Sequence, residues 1–189
     1  MQISIGHIAD LFGGIYVNTS ISQGGAVYYL QLRHWNKERK WASHVEPELR
    51  EETRLNKNYL EIGDLLLATK GTDHFAALYD GQYTPAIASS VFTILRIKDT
   101  NIISPFYLQW YLNHPATTKI LIAASKGTSM PLITRDVIER LELPVPSLQK
   151  QESIVQVNLL QQQAMQLRLQ INNLNETIFH QQLLQTANR

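Results

Sequence analysis

The chain has 189 residues, 44% of them apolar and 17% charged, with a formal net charge of +1 and no cysteine. That composition suits one folded domain plus an appendage, and it excludes a disordered chain, a disulfide scaffold and a thiolate metal site. Residues 1–149 hold 14 basic against 14 acidic side chains, so any case for nucleic acid must rest on local clustering.

The N-terminus lacks a basic-then-apolar signal pattern, and no apolar run approaches the ~18 residues of a membrane span. The expected location is cytoplasmic, and the two glycosylation sequons, at Asn18 and Asn175, count as chance. Along the chain, Ile3 to Phe12 places Ile5, Ile8, Leu11 and Phe12 on one helical face, which Gly13-Gly14 would end. Ala26 to Leu32 reads as a strand and leads into the basic, aromatic stretch Arg33 to Trp41, then an acidic one from Glu46 to Glu52. Gly63-Asp64 predicts a turn before a strand at Leu65 to Thr69, and Asp80-Gly81 a hairpin-grade turn. Ser90 to Ile97 is strand-like again.

The second half turns helical. Ser104 as N-cap with Pro105 after it opens one helix, Pro115 restarts the chain into another through Ala124, and Thr134 can cap a short third at Arg135 to Arg140. Leu141 to Val145 is strand-like. Short strands with helices clustered later predict an α+β domain over 1–146. Pro144 and Pro146 then hold the chain extended, Ser147 can serve as N-cap, and 147–189 reads as one long helix. From Ile154 to Ala187 there is neither Gly nor Pro, about 50 Å of helix at ~1.5 Å per residue.

That helix carries a heptad seam: Val157, Leu160, Ala164, Leu167, Ile171, Leu174 and Ile178 follow one another at alternating steps of three and four. One helix cannot bury such a seam alone. It needs a partner helix in a second copy or elsewhere in the chain; packing back on its own domain is the other reading. The flanking positions (Gln161, Gln163, Arg168, Gln170, Asn175, Thr177) are almost uncharged, so ion pairing cannot choose the partner or its direction.

No catalytic constellation is present. The six histidines show no metal-ligand spacing, and phosphate-binding glycine loops and a nucleophile elbow are absent. Asp64 with Lys70 could be read as a nuclease-like acid and lysine pair, or Asp64 as a turn aspartate ahead of a strand. Asp73-His74 could be an acid–base pair or a solvated loop tip.

Two segments suit nucleic-acid contact. Arg33, Lys37, Arg39 and Lys40 face only Glu38 in the run to Trp41, with His34 and Asn36 interleaved, and these groups can neutralise phosphates and address base edges. The competing reading is a solvated loop with a tryptophan tucked into the core. Ser125 to Pro131 offers backbone N–H groups, Lys126, Thr128 and Ser129 for a phosphate, or merely a glycine-closed helix end. Lys70, at a strand end, is open to the same two readings.

Together these segments resemble the specificity subunit of type I restriction–modification systems. The matching pieces lie in family order: Ile5-Gly6-His7-Ile8-Ala9-Asp10; Gly63-Asp64-Leu65-Leu66-Leu67 with Lys70-Gly71; Tyr107-Leu108; Lys126-Gly127-Thr128 with Met130-Pro131; and Leu143-Pro144-Val145-Pro146-Ser147-Leu148-Gln149-Lys150-Gln151-Glu152-Ser153-Ile154. The last is the most specific. The resemblance implies a non-catalytic target recognition domain for double-stranded DNA, followed by a spacer helix that docks methyltransferase subunits, with a restriction subunit joining them. S-adenosylmethionine would belong to the methyltransferase, leaving this chain without a cofactor. The family's usual subunit has two recognition domains and two helices; one of each here implies a half-length form completed by homodimerisation through the seam. The DNA-contact set expected is Arg33, His34, Asn36, Lys37, Arg39, Lys40, Trp41, Lys70, Lys126, Thr128 and Ser129, chosen from residue chemistry because base-reading residues do not follow a family motif. A coiled-coil adaptor without DNA binding, and a recognition module detached from its catalytic parts, are the alternatives.

Overall fold

The computed structural model describes residues 2–17, 25–36, 41, 44–125 and 131–187. It divides into two compact units, Met1–Gln151 and Glu152–Arg189. The first runs β1 (Gln2–Ser4), α1 (Ile5–Ile8), β2 (Ala9–Gly13), β3 (Tyr28–Leu30), β4 (Leu65–Ala68), β5 (Ala76–Leu78), β6 (Ala86–Ala88), β7 (Phe92–Ile97), α2 (Pro105–Asn113), α3 (Pro115–Ala123), α4 (Arg135–Glu139) and β8 (Glu142–Pro144). Helix α5 (Leu148–Ala187) has its first turn in this unit and supplies the second. The class is α+β, as the sequence predicts.

Four strands form an antiparallel sheet in the order β2-β7-β4-β5. All four residues of β4 are buried, which explains why its sequence is an unbroken apolar run and not an alternation. Leu66 and Ala68 join Leu30, Phe75, Ala77, Tyr79, Phe92 and Ile94 in one core cluster. Leu65 and Leu67 point to the opposite face, by the two-residue period of a strand. The free edge of β5 is closed by a side chain: the Asn113 amide accepts from Ala76 N–H at 3.0 Å and donates to Ala76 C=O at 2.8 Å.

Three local expectations are corrected. The helix expected over Ile3 to Phe12 is one turn, Ile5–Ile8, after which the chain becomes β2. Ala9 and Leu11 are buried and Asp10 and Phe12 exposed, a two-residue alternation that pairs with β7, Leu11 opposite Leu95. Asp80-Gly81 does turn, with Gly81 at φ 81°, but β5 before it pairs with β4 and β6 after it pairs with β3, so it closes no hairpin. Ser104 precedes α2 as expected, yet its hydroxyl makes no cap bond; its N–H donates to the Gln151 side chain instead.

Two further pairings join distant segments. β3 and β6 run parallel, Tyr28 opposite Ala86, over a second cluster of Val27, Tyr29, Leu49, Leu55 and Ile87. β1 pairs antiparallel with β8, and α2 is bonded to the same strand through Tyr107 and Tyr111, whose hydroxyls donate to Pro144 and Glu142 C=O. The first turn of α5 is anchored by Gln151, which is fully buried. Its amide donates to Ile102 and Pro146 C=O and accepts from Ser104 N–H, each at 2.9 Å. In the second unit Ile154, Val155 and Asn158 are half-buried and the rest of the helix is exposed, the seam residues named above included. No helix among the described residues is long and apolar enough to cross a membrane.

Candidate nucleic-acid interface

At one end of the main sheet four chain segments are laced together by backbone bonds. Gly14 N–H donates to Phe92 C=O, Ile15 N–H to Ala88 C=O, Ser89 N–H to Leu30 C=O, and Thr69 N–H to Val91 C=O, all within 2.9–3.0 Å. The approach at Gly14 is close enough to require glycine: a Cβ there would sit 2.1 Å from Ser89 O. The segment is pinned again by Tyr29, whose hydroxyl donates to Ile15 C=O at 2.9 Å and accepts from Val17 N–H. Burial pushes the Tyr29 phenol up from its ordinary value, keeping it a donor.

The result is a groove of about 480 Å³ lined by Tyr16, Val17, Tyr29, Gln31, Leu32, Arg33, Ser89, Ser90 and Val91. Tyr16 is 81% exposed, a large aromatic with its ring in solvent. Ser89 is the converse: it is buried, and among the described residues its Oγ has no hydrogen-bond partner. Arg33 is oriented from behind, its Nη2 on Glu48 at 2.5 Å and its Nε 3.3 Å from His34 Nε2.

The predicted contact residues separate into three groups. Arg33 and Lys70 belong to this end of the sheet. Lys70 is exposed, follows Thr69 and forms a bridge with Leu132, while Gly71 N–H donates to Pro131 C=O. The far end of the Ser125 to Pro131 segment is thereby fixed beside Lys70. His34 and Trp41 face inward. His34 is 6% exposed, and its Nδ1 lies 3.2 Å from Gln31 N–H. A neutral ring has one acceptor nitrogen, so only one of the contacts from Gln31 and Arg33 is a full hydrogen bond. Burial, and then the Arg33 guanidinium, push the His34 imidazole below its ordinary range, so it stays neutral at neutral pH.

Trp41 pairs with Trp35 (centroids 4.6 Å apart) and meets the Tyr83 ring edge-on, while Trp35 packs against Phe75 and Phe92. This aromatic cluster anchors the base of the loop to the core, and the half-buried Asn36 follows Trp35 in the chain. The third group, Lys37, Arg39, Lys40, Lys126, Thr128 and Ser129, lies outside the described residues. Tyr16, Gln31, Ser89 and Ser90 line the groove beside Arg33 without having been expected there, because they come from segments that only the fold brings together.

The Asp64 question is settled by geometry. Asp64 is 1% exposed and takes a two-pronged bond from Arg96 (Nε to Oδ1 and Nη2 to Oδ2, both 2.8 Å), while Glu61 N–H donates to Oδ2. It is a buried turn aspartate, with no access to a substrate. Among the described residues no cluster of three or more His, Asp or Glu side chains could hold a metal.

The fold is shared with solved proteins. The chain is similar to the HsdS subunit from Thermoanaerobacter tengcongensis (TM-score 0.66, 20% identity, 89% of this chain and 43% of that one). It is also similar to the S subunit of a type I restriction–modification system from M. genitalium (TM-score 0.58, 14% identity, 83% and 37%). A third similar chain comes from a structure of type I R-M complex assembly and conformational transition (TM-score 0.61, 18% identity, 88% and 39%). The chain thus spans about two fifths of the length of each. No curated protein matches its sequence. The family model of the type I restriction modification DNA specificity domain matches residues 48–157, more than half of the chain, from before β4 through β8 to the start of α5, and the chain belongs to that family.

Proposed function

We propose that the chain is the DNA-recognition subunit of a type I restriction–modification complex, and that it works as a homodimer. The observation that carries the reading is the family match over 48–157, which takes in β4 to β8, with Thr69 and Ala88 to Phe92 from the laced sheet end, and the anchored start of α5. The first unit binds one half-site. The second pairs with its counterpart through Val157, Leu160, Ala164, Leu167, Ile171, Leu174 and Ile178, and the exposure of all seven supports this use.

A further set of exposed apolar residues on α5 (Met165, Leu169, Phe179 and Leu183) falls on a different side of the helix at 100° per residue. In a paired helix these residues remain outside the seam and suit the methyltransferase subunits. The chain supplies recognition and spacing. Methyl transfer and its S-adenosylmethionine belong to the methyltransferase, any cleavage and translocation to a restriction subunit, and the chain holds no cofactor of its own. Two identical domains about a twofold axis read an inverted repeat of two short half-sites around an unread spacer.

Co-expression with a type I methyltransferase subunit from the same genome tests this. The expected product is a complex with two copies of this chain that methylates DNA, an activity neither component shows alone. No complex and no methylation would favour the adaptor reading, and divalent-metal-dependent cleavage by the purified chain would contradict a non-catalytic role.

A further inference from the structure

We propose that the groove between Tyr16–Val17, Gln31–Arg33 and Ser89–Val91 is where the domain reads a guanine-bearing base pair, with Arg33 as the reading side chain. This rests on the DNA-recognition reading above and adds to it the chemical group recognised and the residues that recognise it.

Charge balance favours a base edge over a phosphate. A phosphate site needs surplus positive charge, and here Glu48, 2.5 Å from the Arg33 guanidinium, cancels the local cation. What is left is a neutral, oriented fork. Two of its five N–H donors are directed at Glu48 and His34, and the others are free of described partners in the protein. A guanidinium held from behind presents a planar pair of donors, the complement of guanine O6 and N7 in the major groove. Preorganisation lowers the entropy lost on binding, because the side chain is already ordered before DNA arrives.

The hydroxyl of Ser89 supplies the second argument. A buried polar atom without a partner is costly, by the desolvation it suffers, and is rare in folded proteins. Ser89 belongs to the groove wall and its Oγ lies covered there, a donor and acceptor that a small rotation of the side chain would offer to an entering group. Tyr16 gives the groove an exposed aromatic face for a sugar or a thymine methyl, and the Gln31 amide adds donors beside Arg33. Lys70, one residue beyond the Thr69 that bonds Val91, is the cation for the flanking phosphate. Among the described residues it has no carboxylate partner.

The test is the methylation motif written on a random double-stranded DNA library by the complex with the methyltransferase. Wild type, Arg33→Lys, Ser89→Ala and Lys70→Ala are compared, each checked for an unchanged melting profile. Arg33→Lys keeps the charge and loses the fork, so it should lose about tenfold to a hundredfold of discrimination at one guanine per half-site. Ser89→Ala should alter the preference at the same or the adjoining position while the protein melts no lower, since it removes an unsatisfied buried group. Lys70→Ala should weaken all sequences alike and leave the motif intact. A wild-type motif retained in full by Arg33→Lys and Ser89→Ala would overturn the groove assignment and leave DNA recognition standing. No methylation by the wild-type complex would overturn both.

Discussion

The two units of this chain solve opposite problems. The first closes a core within itself: β4 is covered on both faces, Asp64 is matched by Arg96, and the open edge of β5 is closed by Asn113. The second leaves a row of leucines and isoleucines exposed over some three heptads. Such exposure opposes folding as an isolated helix, because helical stability in water comes mainly from packing an apolar face. One unit packs its core against itself; the other, on the function proposed above, packs its seam against a second copy.

The largest effect should come from breaking the second unit. Leu167→Glu with Leu174→Glu puts two like charges per helix into the seam, and by size-exclusion and mass measurement the dimer should disappear, with methylation lost. The first unit should keep its melting transition, since no residue of its core is touched. A dimer that survives both substitutions would show that α5 is not the dimer contact.

Next is the first unit's own ion pair. Asp64→Ala removes the two-pronged bond to Arg96 and the acceptor of the Glu61 N–H, while Arg96 keeps the Glu61 carboxylate and the Tyr59 carbonyl, so it should cost about 1.5–3 kcal/mol in denaturant unfolding. A loss below about 1 kcal/mol would mean that water replaces the carboxylate. Gln151→Ala, at the boundary of the two units, should cost about 1–3 kcal/mol through three unsatisfied backbone groups. Retained full stability there would sever the link drawn between the Pro-x-Pro segment and the anchoring of α5.

The smallest effect is a pH dependence. His34 has its folded-state pKa lowered, so protons bind preferentially to the unfolded chain. Its contribution to stability is full above the unfolded value of about 6.5 and falls as pH drops through that value toward the lower folded one. Between pH 7 and pH 5 wild type should lose more stability than His34→Gln, measured by urea midpoints. Equal losses would mean that His34 protonates without cost, contrary to its burial.

What the sequence revealed follows the same division. Helix α5 was legible because a seven-residue pattern without Gly or Pro is local information, as was the proline start of α2. The β4 run and the turn at Gly63, with φ 99°, were equally local. The Ile3 to Phe12 stretch misled because a four-residue helix feeding a strand shares its apolar residues with a longer helix, and only the partner strand β7 distinguishes them. The parallel β3–β6 pair, the Asp64–Arg96 bond and the role of Gln151 depend on residues 32 to 58 positions apart, beyond any pattern in a window. The candidate groove belongs with these. Arg33 could be named from its basic neighbours, whereas Tyr16 and Ser89 gain their meaning from the approach at Gly14.

Two identical recognition units held together by the exposed seam of α5 should write their symmetry into the DNA they select. The most direct measurement is the symmetry of the DNA motif methylated by the complex of this chain, supplied as the sole specificity subunit, with its methyltransferase. The expected motif is an inverted repeat of two identical short half-sites about a fixed unread spacer. A motif with two different halves would contradict it.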